Sequence, residues 1–202
     1  MIKIYHSKRA RSARIIWLLE ELGVRYELES MPFTPEAMRS AEYLKLHPLG
    51  QIPVMQDHGI TMFESGAILE YLLETHGQGR LAPAPGTPAR AEYLQWFHYG
   101  EASLARYVSD IVRYRFSTKP EDQIPEVLAM AQRRFHEALA VVDRALEGRQ
   151  FICGAEFTAA DIMVAYGMVM AKIIRELPAD LPNIAAYLKR LQERPSYERA
   201  WS

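Results

Sequence analysis

The chain has 202 residues, 49% of them hydrophobic and 24% charged, with a formal net charge of −1. That balance excludes a disordered chain and gives no global attraction to nucleic acid or acidic membranes, so local sites must carry specificity. The length suffices to fill two modest cores, and no continuous apolar stretch is long enough to span a bilayer.

In chain order, Ile2 to Tyr5 reads as a strand, entered without an apolar signal core, so cytoplasmic residence is the expectation. Ser12 to Leu22 has the apolar spacing of an amphipathic helix ending at Gly23, and Tyr26 to Glu29 reads as a second strand. A short helix is predicted after Pro35, through Leu46. Pro53 to Gln56 and Thr61 to Phe63 flank Asp57-His58-Gly59-Ile60, a hairpin signal, and a helix runs from Glu64 through Thr75. The order is strand, helix, strand, helix, hairpin, helix.

Residues 79–88 are dense in glycine and proline, which no regular element tolerates, and mark a linker between domains 1–78 and 89–202. Long helices follow, from Pro88 to about Phe116, from Pro125 to about Leu146, from Thr158 onward, and from Asn183 to Arg194. Thr158 and Asp161 have capping-box spacing, which gives Asp161 a structural role. The single cysteine, Cys153, cannot form an internal disulfide, and its apolar neighbours favour an inert thiol. The histidines are scattered without metal-ligand spacing, so no metal site is expected.

The chemistry concentrates in Pro48-Leu49-Gly50-Gln51-Ile52-Pro53-Val54 and Glu64-Ser65. Ile52-Pro53 is a candidate cis bond, which would leave the backbone of Ile52 free to pair with an extended, peptide-like ligand. Glu64 and Ser65 fall at the first turn of a helix. Its unpaired N–H groups and positive dipole end attract a carboxylate, while Glu64 can accept from an ammonium. An amino-acid head group carries both charges. Helix capping alone would also explain Glu64 and Ser65.

Four stretches together resemble the cytosolic glutathione transferases over almost the whole chain: Arg14 to Gly23 after the first strand, His47 to Pro53, Glu64-Ser65, and Thr158 to Asp161. The resemblance implies an α/β thioredoxin-like βαβαββα domain followed by an all-α helical bundle, a homodimer, and glutathione as cosubstrate with no organic cofactor. It implies that Ile52, before the cis Pro53, pairs with the cysteinyl part of glutathione. Glu64 and Ser65 would hold the γ-glutamyl end, and Gln51 would reach the glycyl or γ-glutamyl end. If the domains pack as in that family, an apolar electrophile lies in the cleft, lined by Tyr99, Ser103, Tyr107 and Tyr114; the same stripe suits core or dimer contacts.

The chain departs from the family at the reactive end. Such transferases place a tyrosine, serine or cysteine shortly after the first strand to stabilise the glutathione thiolate, but here that position falls near Arg9 or Ala10. The nearest hydroxyls are Ser7 and Ser12. Lys8, Arg9, Arg11 and Arg14 cluster at the start of the first helix, and cations or a helix N-terminus lower a thiol pKa from about 8.5. Arg9 or Arg11, helped by Ser12 or Ser7, is thus expected to supply the electrostatics. The preferred function is conjugation of glutathione to a small hydrophobic electrophile. Peroxide reduction, isomerisation or halide removal would use the same thiolate, and a carrier or interaction protein that binds without turnover is the alternative.

Overall fold

The computed structural model describes residues 1–202, which form two compact units, Met1–Leu81 with Gln192–Ser202, and Ala82–Leu191. This grouping differs from the sequence expectation of 1–78, 79–88 and 89–202, because the end of the chain belongs with the first unit.

In the first unit, β1 (Ile2–His6), α1 (Ser12–Leu22) and β2 (Tyr26–Ser30) form a parallel β-α-β start. Two one-turn helices follow, α2 (Pro35–Met38) and α3 (Ala41–Leu44), in place of the single helix expected. The break has a local cause. Thr34 caps the first turn by accepting from Ala37 N–H at 3.3 Å, and Ser40 restarts the next by accepting from Tyr43 N–H at 3.2 Å. Strands β3 (Val54–Asp57) and β4 (Ile60–Phe63) then form a hairpin whose turn residues His58 and Gly59 have φ of 46° and 82°. Two successive positive φ values match the twist of an antiparallel pair.

The sheet order is β2-β1-β3-β4, with β3 antiparallel to both neighbours. Helix α4 (Ser65–His76) closes the α/β layer. Ile4, Val54 and Met55 of the sheet are buried, as are Ile15, Leu18 and Leu19 of α1 and Ile68 and Leu72 of α4. These apolar faces account for the unit's core.

A further helix, α10, completes this unit. It spans Pro195–Trp201 and packs against α1, where Trp17 and Tyr197 meet edge to face with centroids 5.2 Å apart. Glu21 accepts both Arg194 Nε and Nη2 at 2.7 Å, Trp17 Nε1 at 3.2 Å, and the Ser196 hydroxyl. Pro195 occupies the first turn, where its missing N–H costs nothing, so it opens a further helix after the one that the sequence predicts as the last, from Asn183 to Arg194.

The second unit contains α5 (Pro88–Tyr99), a π-helical segment Gly100–Ala105, α6 (Arg106–Phe116), α7 (Pro125–Ala145), α8 (Ala159–Ile173) and α9 (Pro182–Gln192). The expected continuous helix from Pro88 to Phe116 is therefore interrupted. A Cβ at Gly100 would stand 2.5 Å from the carbonyl carbon of Met163, so glycine there admits the backbone of α8 at close range. The wider turn accompanies that approach. Along the same stripe, Tyr99 donates to the Ala138 carbonyl at 3.1 Å and Tyr114 to the Ile124 carbonyl at 2.7 Å, which spends both hydroxyls inside the unit.

Asp161 forms the expected capping box with Thr158 and also takes hydrogen bonds from Ile152 N–H at 2.8 Å and the Tyr187 hydroxyl at 2.7 Å. Burial raises its carboxyl above the usual range, against the pull of these donors. Nearby Cys153 is half-buried, and burial first and the Asp161 charge second push its thiol up to about 12, leaving no thiolate at neutral pH. No helix is long and apolar enough to cross a membrane.

Candidate functional site

The sheet register decides where the sequence motifs meet. Val54 pairs with Phe63 on one side and with Tyr5 on the other. The residues before Val54, after Phe63 and after Tyr5 consequently leave the sheet at one end. Ile52-Pro53, Glu64-Ser65 and the loop Ser7–Arg11 are thereby brought together, all within the first unit.

The Ile52-Pro53 bond is cis. Ile52 is buried, and no backbone hydrogen bond within the chain engages it. The preceding carbonyl of Gln51 is anchored instead, accepting from the Tyr43 hydroxyl at 2.6 Å, while the Gln51 residue as a whole is exposed. Burial pushes the Tyr43 hydroxyl up to about 12, with Tyr5 adding to the rise, so it remains a donor at all physiological pH values. Gly50 enters this arm at φ 59°, and a Cβ there would lie 2.2 Å from the Met38 carbonyl oxygen. Only glycine fits both constraints.

Glu64 precedes α4 with φ 72° and ψ 105°, an unusual backbone for a residue with a Cβ. Its side chain makes no cap on the helix, so the first N–H groups of α4 have no side-chain acceptor there. Ser65 is buried beside it, and its Oγ accepts from Arg14 Nη1 at 3.0 Å. Arg14 is buried on α1, so among the four cations at the start of the first helix it reaches Ser65 from within the unit.

The loop after β1 is tied down at several points. The Ser7 hydroxyl donates to the Met31 carbonyl at 2.6 Å, and Met31 N–H donates to the His6 carbonyl at 2.8 Å. Ser12 is fully buried, with its Oγ 2.8 Å from His6 Nδ1. Burial lowers the basicity of that imidazole. Ser7 and Ser12, expected as sulfur partners, thus have their hydroxyls engaged within the chain, because both lie where the loop joins its flanking elements. Arg9 takes the tip at φ 65° and is exposed, and Ala10 packs against the cluster of Met38, Tyr43, Ile52 and Val54. Arg11 precedes α1 without capping it through its side chain, while the carbonyls of Ala10 and Arg11 accept from the N–H groups of Ala13 and Arg14 at 3.0 and 3.1 Å.

This arrangement offers an unpaired backbone at Ile52, the start of α4 without a side-chain cap, and a run of cationic side chains after β1. It can hold a peptide with a carboxylate at one end and stabilise a negative charge near the loop. Arg14 and Tyr43 also lie at this end of the sheet; the sequence placed Arg14 only among the cations at the start of the first helix and did not single out Tyr43. An arginine on the buried face of α1 was the available signal for the first.

Residues 2–74 match the family described as glutathione S-transferase, N-terminal domain, and residues 125–190 match glutathione S-transferase, C-terminal domain. The chain is 30% identical to glutathione S-transferase 3 of Schizosaccharomyces pombe, covering 97% of this chain and 85% of the relative. It is 26% identical to glutathione S-transferase GstA of Escherichia coli O157:H7, covering 100% and 98%. The crystal structure of glutathione transferase URE2P6 from Phanerochaete chrysosporium, in complex with oxidized glutathione, is similar with a TM-score of 0.87 at 26% identity, covering 99% of this chain and 94% of that one.

Proposed function

The chain belongs to the glutathione S-transferase family, and from that membership and the geometry above we propose that it conjugates reduced glutathione to small hydrophobic electrophiles. The observation that carries the reading is the convergence of Ile52-Pro53 and Glu64-Ser65 at one end of the β3–β4 hairpin, beside the uncapped start of α4. The Ile52 backbone pairs with the cysteinyl part of the tripeptide. Ser65, Glu64 and the first N–H groups of α4 take the γ-glutamyl carboxylate and ammonium. Gln51, exposed at the end of the arm, reaches the glycyl or γ-glutamyl end.

The cysteinyl sulfur then lies towards the loop that carries Arg9, Ala10 and Arg11. Guanidinium groups and the α1 N-terminus favour the thiolate, and each unit of thiol pKa lowered is worth about 1.4 kcal/mol of differential stabilisation. Ser7 and Ser12 act by holding the loop in place. The thiolate attacks the electrophilic carbon, forms the C–S bond, and the leaving group departs with its electron pair. Catalysis is pKa lowering and proximity, with glutathione as cosubstrate. A homodimer follows from the family resemblance and would register as twice the chain mass by sedimentation.

A second reading, a glutathione-binding carrier without turnover, is favoured by Ala10, which puts no hydroxyl or thiol at the reactive position. Calorimetric titration with glutathione, thiolate absorbance against pH, and an initial rate with a chlorodinitrobenzene separate the two. Binding with a lowered thiol pKa and turnover supports the transferase. Binding with an unshifted thiol supports the carrier, and no binding rejects both.

A further inference from the structure

We propose that His47 is a positioning residue for glutathione: its imidazole braces the turn that presents Gln51 and Ile52, and its ring couples that turn to the strand leading into Glu64. The inference rests on the glutathione-binding reading above and adds to it a residue outside the ligand-contacting set.

The sequence His47-Pro48-Leu49-Gly50 forms a tight turn in which Gly50 N–H donates to the His47 carbonyl at 2.8 Å. Pro48 supplies the preset φ of the second turn position. Leu49 N–H would otherwise point at nothing, and it donates to His47 Nδ1 at 3.2 Å. A side-chain acceptor two residues before the N–H is the bonding pattern by which Asn and Asp stabilise turns, here made by a histidine. The flanks are fixed independently. His47 N–H donates to the Tyr43 carbonyl at 2.9 Å, and the Tyr43 hydroxyl holds Gln51 at 2.6 Å. The imidazole is thus the internal brace of a turn whose two ends are anchored on one tyrosine.

The ring has a second contact. It is 3% exposed and lies on Phe63, with centroids 4.7 Å apart and planes tilted by 38°. Phe63 is the last residue of β4 and immediately precedes Glu64. One side chain therefore touches both segments that hold the ligand's backbone and its γ-glutamyl end. An asparagine could reproduce the hydrogen bond to Leu49, whereas only a ring reproduces the packing on Phe63.

The brace works only while Nδ1 is an acceptor. Protonation would set an imidazole N–H against the Leu49 N–H. Burial depresses the basicity of His47, and Glu64, the charged group acting on it, partly opposes this. A base whose folded-state pKa is depressed contributes stability that is present above its unfolded pKa of about 6.5 and is lost as pH falls through the folded value. The window is therefore below about pH 6.5.

The test begins with calorimetric titration of wild-type protein with reduced glutathione at neutral pH. Absence of binding here rejects the glutathione reading itself, before any statement about His47. Given binding, His47→Ala is expected to weaken affinity by about tenfold and His47→Asn to recover only the part of that loss that belongs to the hydrogen bond, the part owed to packing on Phe63 staying lost. Wild-type affinity is expected to fall as pH drops below about 6.5, and the His47→Asn profile to lack that loss. Nitrogen-15 NMR of the unmutated protein gives a readout independent of folding of the variants: the Nε2–H tautomer is expected for His47. An Nδ1–H tautomer, a His47→Ala variant that binds within about twofold of wild type, or identical acid profiles for wild type and His47→Asn would each overturn the proposal.

Discussion

Arg14 Nη1 donates to Ser65 Oγ at 3.0 Å, with both residues buried. The bond occupies a lone pair of the serine and leaves its own proton to be given elsewhere. Ser65 thereby becomes a directed donor at the start of α4. The positive charge of Arg14 reaches the site through that hydroxyl, in the same sense as the helix dipole.

Replacing Ser65 by alanine tests this directly. It removes a donor to an anionic ligand and an acceptor for a buried guanidinium. Glutathione affinity is expected to fall about tenfold or more, with a loss of about 1 kcal/mol in stability from the hydrogen bond given up by Arg14. Calorimetry and denaturant unfolding read the two effects separately.

Tyr43→Phe removes the donor to the Gln51 carbonyl and little else. A stability loss of about 1 kcal/mol and a several-fold weaker glutathione complex are expected. In the unmutated protein the hydroxyl is pushed up to about 12, first by burial, so the folded state holds its proton more tightly than the unfolded chain. Stability from this group is present below about pH 10 and is lost as pH rises towards 12. Burial also raises Tyr26, Tyr99 and Tyr187, so urea midpoints across that range should fall in both proteins and fall less in Tyr43→Phe than in wild type.

Hydroxyl and guanidinium roles around the β1–α1 loop separate by thiolate absorbance. Ser7→Ala and Ser12→Ala are expected to lower the melting temperature while moving the pKa of bound glutathione by less than about 0.3 unit. Arg9→Ala or Arg11→Ala should raise that pKa by about 0.5–1 unit through lost electrostatic support. The reverse pattern would return the sulfur contact to a serine.

Glu21 sets an acid limit on the first unit. Burial pushes its carboxyl up, but the hydrogen bonds from Arg194 and Ser196, the Arg194 charge and the Trp17 bond outweigh it and hold the carboxyl below the usual range. A depressed folded-state pKa contributes stability that is present above the unfolded value of about 4.3 and disappears as pH falls through the folded one. Glu21→Gln is expected to cost about 2 kcal/mol at neutral pH and to flatten the acid limb of the stability curve, as measured by thermal melts from pH 7 to 3.

The elements that local chemistry dictates were legible. Ile52-Pro53, the glycine-containing hairpin turn at His58-Gly59 and the Thr158–Asp161 cap all depend on neighbours within a few residues. The β3–β4 register then followed from the hairpin and carried Glu64-Ser65 to the same end as Pro53. What stayed hidden depends on partners distant in the chain. The π-helical interruption begins at Gly100 where the backbone of Met163 approaches it, and Arg14 meets Ser65, 51 residues away in the chain. The hydroxyls of Ser7 and Ser12, the nearest to the expected reactive position at Arg9 or Ala10, have partners at Met31 and His6 that the sequence did not show. Pro195 read as a terminator because its helix is recognised only once Trp17 and Glu21 are seen to receive it.

That last helix has a consequence for biosynthesis. Domains emerging from the ribosome ordinarily fold as units, the N-terminal one first, at a synthesis rate of about 5–20 residues per second. In this chain the first unit lacks the partner for Glu21 and Trp17 until residues 192–202 have been made, after the entire helical unit. The exposed flank of α1 must wait through that interval, and a nascent chain stalled at Leu191 would carry a complete set of strands without its closing helix.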